Sequence, residues 1–400
     1  MFCLIFAGEA IFSLPFHLAR FFRPTMLEAF ALSNARLGDV YAVYGITAML
    51  AYFPGGALAD LYSPRILLTG SLLATAAGGI WLASFPSAQS LAVLYGYWGL
   101  TTILLFWAAL IRATREWGGL ALQGRAFGVL DGGRGLVAAT LASVAVTLLS
   151  ANFVAGDSQM NKASFALVIY FYTGITALAG VLCWWVIPTA SSPSSQRSIS
   201  FTGLRTVLLA PRIWCQAAIV IAAYCGYKGL DYYTLYAQAA LGLNDLEAAT
   251  LMTQAAYLRP IAAVSAGLLA DRLGAGRMVG GMFVMGALAY LALALGSSGT
   301  AMIFYANLFV TIVCVYGLRG IYFALLEESG VPRAHTGTAV GVISVIGYTP
   351  DIFFAPIAGR LLDAAPRAGD YASVFILSAL LFSVGALSAY ALHRTYRARR

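Results

Sequence analysis

Ionisable side chains interrupt long apolar runs at ten positions of this chain. The basic ones are Arg20, Arg23, Arg134, Lys228, Arg259 and Arg319, and the acidic ones are Glu9, Asp131, Asp231 and Asp351. A charge is costly in an apolar setting, so such groups usually face a partner or an aqueous path and mark where a solute or a proton moves. Guanidinium groups bind carboxylates and phosphates, and carboxylates can carry protons. Six bases against four acids favour an anionic solute.

Two stretches repeat the spacing that puts side chains on one helical face. "FHLARFFR" sets His17 and Arg20 three residues apart. Histidine changes protonation near neutral pH, which suits proton coupling, although a packing role for His17 stays open. "FGVLDGGRGLV" gives Asp131 and Arg134 the same spacing. They are either a self-neutralising pair beside a glycine-rich packing surface or groups that handle substrate or protons.

A third stretch, "YCGYKGLDYYTLY", sets Lys228 and Asp231 among tyrosines such as Tyr232. Gly226 and Gly229 predict a bend here. Tyrosine hydroxyls and the Lys228 ammonium group at a bend in a helix are typical of a ligand-binding surface. The alternative is a tyrosine-rich interfacial belt with Lys228 directed outward.

Two further arginines lie in the apolar runs of the second half of the chain. Arg259 precedes Pro260, and Arg319 lies in "GLRGIYFALLEE". Either arginine could pair with Asp351, which follows Pro350. We expect substrate binding by His17, Arg20, Arg134, Lys228, Tyr232, Arg259 and Arg319, and proton coupling by Glu9, Asp131, Asp231 and Asp351.

The elements that position these residues are membrane helices. The chain is 60% hydrophobic and 10% charged. Uncharged runs between Arg65 and Arg112 and between Arg277 and Arg319 are each about twice the ~20 residues that span a bilayer once. The first segment lacks a basic start and a cleavage site, so we interpret it as a retained helix. The scattered arginines form no face for nucleic acid, and no metal, nucleotide or hydrolase motif indicates a cofactor or an enzyme.

The apolar runs predict an all-α membrane protein with twelve transmembrane helices. They fall near 4–29, 38–59, 66–85, 90–111, 124–149, 163–187, 213–240, 246–270, 278–296, 301–326, 336–362 and 371–393. A serine-rich segment, 189–212, predicts a cytoplasmic linker between an N-terminal half, 1–188, and a C-terminal half, 213–400. Fourteen arginines on one set of loops and ends, against four basic residues on the other, predict cytoplasmic termini.

Two similar charged loops indicate that the six-helix unit is repeated. "GGALADLYSPR" and "AGLLADRLGAGR" each follow the second helix of a half and begin about 211 residues apart. Because six is an even number of spans, both copies insert with the same orientation. Parallel repeats of this kind pack about an axis normal to the membrane.

The two loops resemble the signature loop of the major facilitator superfamily, G-x-L-a-D-r-x-G-r-k. The matching positions that the resemblance assigns to a conformational motif are Gly56, Asp60, Arg65, Gly267, Asp271 and Arg272. In that family the aspartate and basic residues brace the two halves in one conformational state. The resemblance implies alternating access, a monomer in the lipid bilayer and no cofactor.

The resemblance and the charges together predict a bacterial inner-membrane transporter. "YKGLDYY" is similar to a pattern in helix seven of the organophosphate:anion branch, so we expect a small organic anion such as a carboxylate or sugar phosphate. Its transport would be coupled to protons or to exchange with another anion. The alternatives are a proton-coupled exporter of amphiphilic cations, with Glu9 in its site, and a transporter-like sensor.

Overall fold

A computed structural model describes residues 1–118, 123–151, 158–189, 208–295, 301–326, 336–365 and 371–397. Most of the predicted linker, 190–207, lies outside these residues, as does the side chain of Asp60. Within the described ranges the chain is helical and contains no β-strand. The predicted all-α class is therefore confirmed.

In the described residues the helices group into twelve segments, in agreement with the predicted number, and a short helix, Arg23–Ala29, follows the first. They are α1 (Phe2–Phe21), α2 (Asn34–Leu61), α3 (Pro64–Leu82), α4 (Ala88–Gly118), α5 (Gln123–Ser150), α6 (Ser158–Val186), α7 (Pro211–Leu241), α8 (Asp245–Ala256 and Leu258–Leu273), α9 (Ala275–Leu295), α10 (Ala301–Leu325), α11 (Thr336–Gly347 and Pro350–Asp363) and α12 (Ala372–Arg397). In the described part of the chain, ten helices are long and apolar enough to cross a membrane by themselves. The other two are α2 and the divided α8.

Local signals explain where several helices begin and end. The Ser33 side chain accepts a hydrogen bond from the backbone N–H of Arg36 and caps α2. Asn244 and Glu247 form a reciprocal capping box at the start of α8. Gly242 ends α7 with φ of 68°, a left-handed conformation that glycine adopts without steric cost.

Irregular turns divide the helices that carry the ionisable residues. A π-helical turn, Ser13–His17, interrupts α1, and a longer one, Leu100–Trp107, lies within α4. A 3₁₀ turn, Leu230–Tyr232, follows Gly229 in α7, at the predicted bend. In α11 the break precedes Pro350, which lacks an N–H for the helical ladder.

The chain divides into two compact units. Unit 1 consists of Met1–Ser194, Asp231–Tyr257 and Ala355–Asp363. Unit 2 consists of Ser195–Leu230, Leu258–Phe354 and Ala364–Arg400. The start of α8 and the ends of α7 and α11 thus belong to unit 1. The division into repeated six-helix halves stays a prediction.

Candidate functional site

Unit 1 holds a cluster of the buried Glu9 and His17 with the half-buried Arg134. One carboxylate oxygen of Glu9 is 3.1 Å from His17 Nε2, and the other accepts a hydrogen bond from Arg134 Nε at 3.0 Å. Glu9 is only 2% exposed and His17 only 3%. The Nδ1 atom of His17 is buried without a hydrogen-bond partner. With its proton on Nε2, the His17 ring can donate this hydrogen bond to the Glu9 carboxylate.

The local sequence explains how these three side chains meet. Residues eight apart in a regular α-helix are separated by about 12 Å along the axis, beyond the usual i, i+4 contact. The π-helical turn that follows Glu9 ends at His17, so the chain between the two residues is not a regular α-helix. Arg134 arrives from α5, and a Cβ at Gly8 would lie 3.2 Å from its Cδ. Gly8 therefore leaves the space through which Arg134 reaches Glu9.

This cluster bears on the two alternatives left open for Asp131 and Arg134 in α5. Arg134 forms its ion pair with Glu9 of α1. Asp131 is half-buried, and its role in proton coupling stays a prediction.

A second ion pair in unit 1 joins Arg20 to Asp231. The Arg20 Nε atom lies 2.6 Å from Asp231 Oδ1. Next to this pair, the Arg23 guanidinium lies 4.2 Å from the centre of the Tyr232 ring. The 3₁₀ turn of α7 presents Asp231 and Tyr232 to these two arginines.

In unit 2 a third pair joins Lys228 to Asp351. Lys228 Nζ is 2.6 Å from Asp351 Oδ1. The Tyr224 hydroxyl donates to the same carboxylate, at 3.2 and 3.1 Å from its two oxygens. Lys228 is 4% exposed, so it does not extend outward as in the alternative of an interfacial belt. Asp351 pairs with this lysine rather than with either of the two predicted arginines.

Those arginines, Arg259 and Arg319, lie over tyrosine rings of unit 2. The Arg319 guanidinium is 3.9 Å from the centre of the Tyr227 ring and 5.6 Å from that of Tyr224. Arg259 is 5.8 Å from the centre of the Tyr316 ring. A guanidinium that stacks on a ring uses its face and keeps its N–H edge in the plane, where an anion binds. Tyr224 and Tyr316 were not predicted as site residues. The available signal was helical spacing, since Tyr224 precedes Lys228 by four residues and Tyr316 precedes Arg319 by three.

The predicted conformational loops have different surroundings in the two units. Arg65 lies 4.2 Å from the Trp184 ring and donates to Thr189 Oγ1. Asp271 and Arg272 are exposed. Gly56 and Gly267 have open space where a Cβ would stand. Arg112 was not predicted as a site residue. Its guanidinium donates hydrogen bonds to the backbone oxygens of Ala59 and Tyr62 near the first loop.

Comparison with known proteins decides the family. The model of the Major Facilitator Superfamily matches residues 5–350. The chain belongs to this superfamily. It is therefore a multi-pass membrane transporter and not an enzyme, as predicted.

Relatives and solved structures extend this similarity over nearly the whole chain. The chain is 27% identical to "Inner membrane protein YqcE" of Escherichia coli (strain K12) over 93% of this chain and 89% of that protein. It is 25% identical to "Inner membrane protein YihN" of the same organism, over 96% and 93%. Its fold is similar to that of a bacterial homologue of the human lysosomal transporter Spinster, with a TM-score of 0.75, 14% identity and coverage of 100% and 96%. The nucleoside transporter NupG gives a TM-score of 0.72 at 14% identity, over 98% and 96%.

The described residues offer no clear cation site. No group of three or more histidine, cysteine, aspartate or glutamate side chains is arranged there to hold a metal ion. The chemistry of the clusters is instead that of ion pairs and cation–ring contacts.

Proposed function

We propose that this transporter moves a small organic anion of the carboxylate or sugar phosphate type by alternating access. The observation that carries the proposal is the placement of Arg259 and Arg319 on tyrosine faces in unit 2. The ion pairs of Glu9, Asp231 and Asp351 in the described residues are with Arg134 and His17, with Arg20, and with Lys228. Ring-supported guanidinium groups suit a carboxylate or phosphate, which two parallel N–H groups can bind.

Coupling is proposed for unit 1, by proton movement or by exchange with a second anion. Protonation of Glu9 would weaken its bonds to Arg134 and His17, since both depend on the negative carboxylate. Protonation of Asp231 would likewise release Arg20. Each event would break an ion pair of unit 1 and so bias the conformational equilibrium of the transporter, which links proton uptake to transport.

The competing candidate is a proton-coupled exporter of amphiphilic cations. It would use Glu9 to hold the cation, and the abundant aromatic residues would contact the apolar part. The two basic partners of Glu9 favour the anion transporter, because a cationic drug would have to displace both. A transporter-like sensor stays the candidate of another class.

We propose an inner-membrane location with both termini in the cytoplasm. The names of the two Escherichia coli relatives support the location. The distribution of arginines over the loops supports the orientation. A monomer of two six-helix halves is proposed from the family resemblance alone.

A binding screen on the purified full-length chain tests the anion assignment. Phosphate esters, carboxylates and lipophilic cations are compared by thermal shift, where a ligand at a hundred times its dissociation constant adds about 2.7 kcal/mol. We expect stabilisation by anions that Arg319→Gln or Arg259→Gln reduces roughly tenfold to hundredfold in affinity. The exposed Arg277→Gln is the matched control and should bind normally. Stabilisation by cations that is lost in Glu9→Gln would favour the exporter instead.

A further inference from the structure

Five tyrosines form a continuous row in unit 2. Ring centres are 6.2 Å apart between Tyr316 and Tyr227, 5.8 Å between Tyr227 and Tyr224, and 5.0 Å between Tyr224 and Tyr348. The Tyr348 hydroxyl lies 3.4 Å from that of Tyr322. We call this the tyrosine row. Its members come from α7, α10 and α11, so the fold brings together residues that are distant in the sequence.

Cations lie along the tyrosine row rather than at one end of it. Arg259 contacts the ring of Tyr316, and Arg319 contacts those of Tyr227 and Tyr224. Lys228 Nζ is 5.7 Å from the centre of the Tyr224 ring. Positive charge and aromatic surface therefore alternate over the same few helical turns.

The middle of the row is not sealed in the core. Tyr224, Tyr227, Tyr348 and Arg319 are half-buried, whereas Tyr316 and Tyr322 are buried. Hydroxyls and a guanidinium with partly exposed surface are costly against lipid, so this surface suits contact with water or a polar solute. Tyrosine rings also bind the faces of other rings, through stacked and edge-on contacts. An acyclic anion would contact the cations but would have no ring to place against the tyrosine faces.

We propose that the tyrosine row binds an anion that carries a ring, with the anionic group on Arg319 and Arg259 and the ring face on the tyrosines. The inference rests on the proposed function and narrows its substrate class. A sugar phosphate and an aromatic carboxylate or phosphate share this chemistry. Inorganic phosphate and acyclic organic anions lack the ring.

Dissociation constants for matched probes on the full-length protein in lipid nanodiscs test the proposal. Glucose 6-phosphate and phenyl phosphate carry rings, whereas glycerol 3-phosphate and inorganic phosphate do not; benzoate and acetate form the same contrast for carboxylates. We expect at least one ringed anion to bind about tenfold tighter than its ringless match, the affinity equivalent of an aromatic contact. Glucose and phenol test whether the negative charge is required, and neither should bind measurably.

Substitutions at the half-buried tyrosines distinguish the contribution of the aromatic ring to binding from that of the hydroxyl group. Tyr227→Leu and Tyr348→Leu should reduce the preference for ringed anions to near unity, while Tyr227→Phe and Tyr348→Phe should keep it. Melting temperatures of all four variants establish that they are folded. Equal affinity for ringed and ringless anions in the unsubstituted protein, with binding still lost in Arg319→Gln, would overturn the ring assignment and leave the anion transporter intact. If no anion binds and lipophilic cations do, both proposals fail.

Discussion

Arg20 and Asp231 bind each other at 2.6 Å although they are 211 positions apart. The same offset separates Asp60 from Asp271 in the two repeated loops. In the predicted repeat, the two members of this ion pair thus hold equivalent positions in α1 and α7. A bond between equivalent positions of parallel repeats would lie near the axis that relates them.

Removing one member of this ion pair should destabilise the protein more than exchanging the two charged residues. In Arg20→Ala the Asp231 carboxylate stays buried without its counter-charge, a change that costs about 3–5 kcal/mol in other proteins. We expect a lowered melting temperature in Arg20→Ala and in Asp231→Ala. The exchanged variant Arg20→Asp with Asp231→Arg should recover part of the loss of its own single variants, Arg20→Asp and Asp231→Arg. An exchanged variant no more stable than the sum of those two losses would contradict the pairing.

Neutralising Glu9 should uncouple transport from the pH gradient. Glu9→Gln keeps the shape of the side chain but removes the charge that holds Arg134 and His17. Anion affinity in unit 2 should change by less than about threefold, while accumulation driven by a pH gradient is lost. Uptake by liposomes with and without the gradient measures this. Normal gradient-driven accumulation in Glu9→Gln, Asp131→Asn and Asp231→Asn would indicate anion exchange without protons.

The contact between α2 and the end of α11 within unit 1 depends on two glycines. A Cβ on Gly38 would lie 2.4 Å from the backbone oxygen of Ala355, and one on Gly359 would lie 2.3 Å from that of Asn34. Backbone cannot move as easily as a side-chain end, so Gly38→Ala and Gly359→Ala should lower the melting temperature by several degrees. Gly70→Ala in α3 is the control, because nothing lies within 4 Å of its Cβ position. Equal stability of all three variants would contradict this close packing.

The repeated loops should affect conformational balance more than binding. Asp60→Asn and Asp271→Asn remove a carboxylate from positions that match the family motif. We expect the labelling rates of single-cysteine reporters on the two membrane faces to change in opposite directions, with the dissociation constant of the anion nearly unchanged. If labelling rates and transport are both unaffected, these loops are ordinary polar turns.

The sequence was sufficient for the class of fold and for the break in α7, because apolar run length and glycine position act locally. It did not predict which charges pair. The i, i+3 spacing allowed a bond between Asp131 and Arg134 as one of two alternatives, and Arg134 reaches Glu9 through the space beside Gly8. Which of two acceptable partners a buried arginine contacts depends on helix packing, and that is decided by residues far away in the sequence. The tyrosine row was missed for the same reason, since its members lie on three helices.

The affinity of Arg319 variants for an organic anion tests most directly whether unit 2 holds the anion site. Isothermal calorimetry with the tightest-binding anion would compare the unsubstituted protein, Arg319→Gln and the control Arg277→Gln. We expect the affinity for the anion to fall about tenfold or more in Arg319→Gln and to stay unchanged in the control. Unchanged anion affinity in Arg319→Gln would contradict the assignment of unit 2 as the anion site.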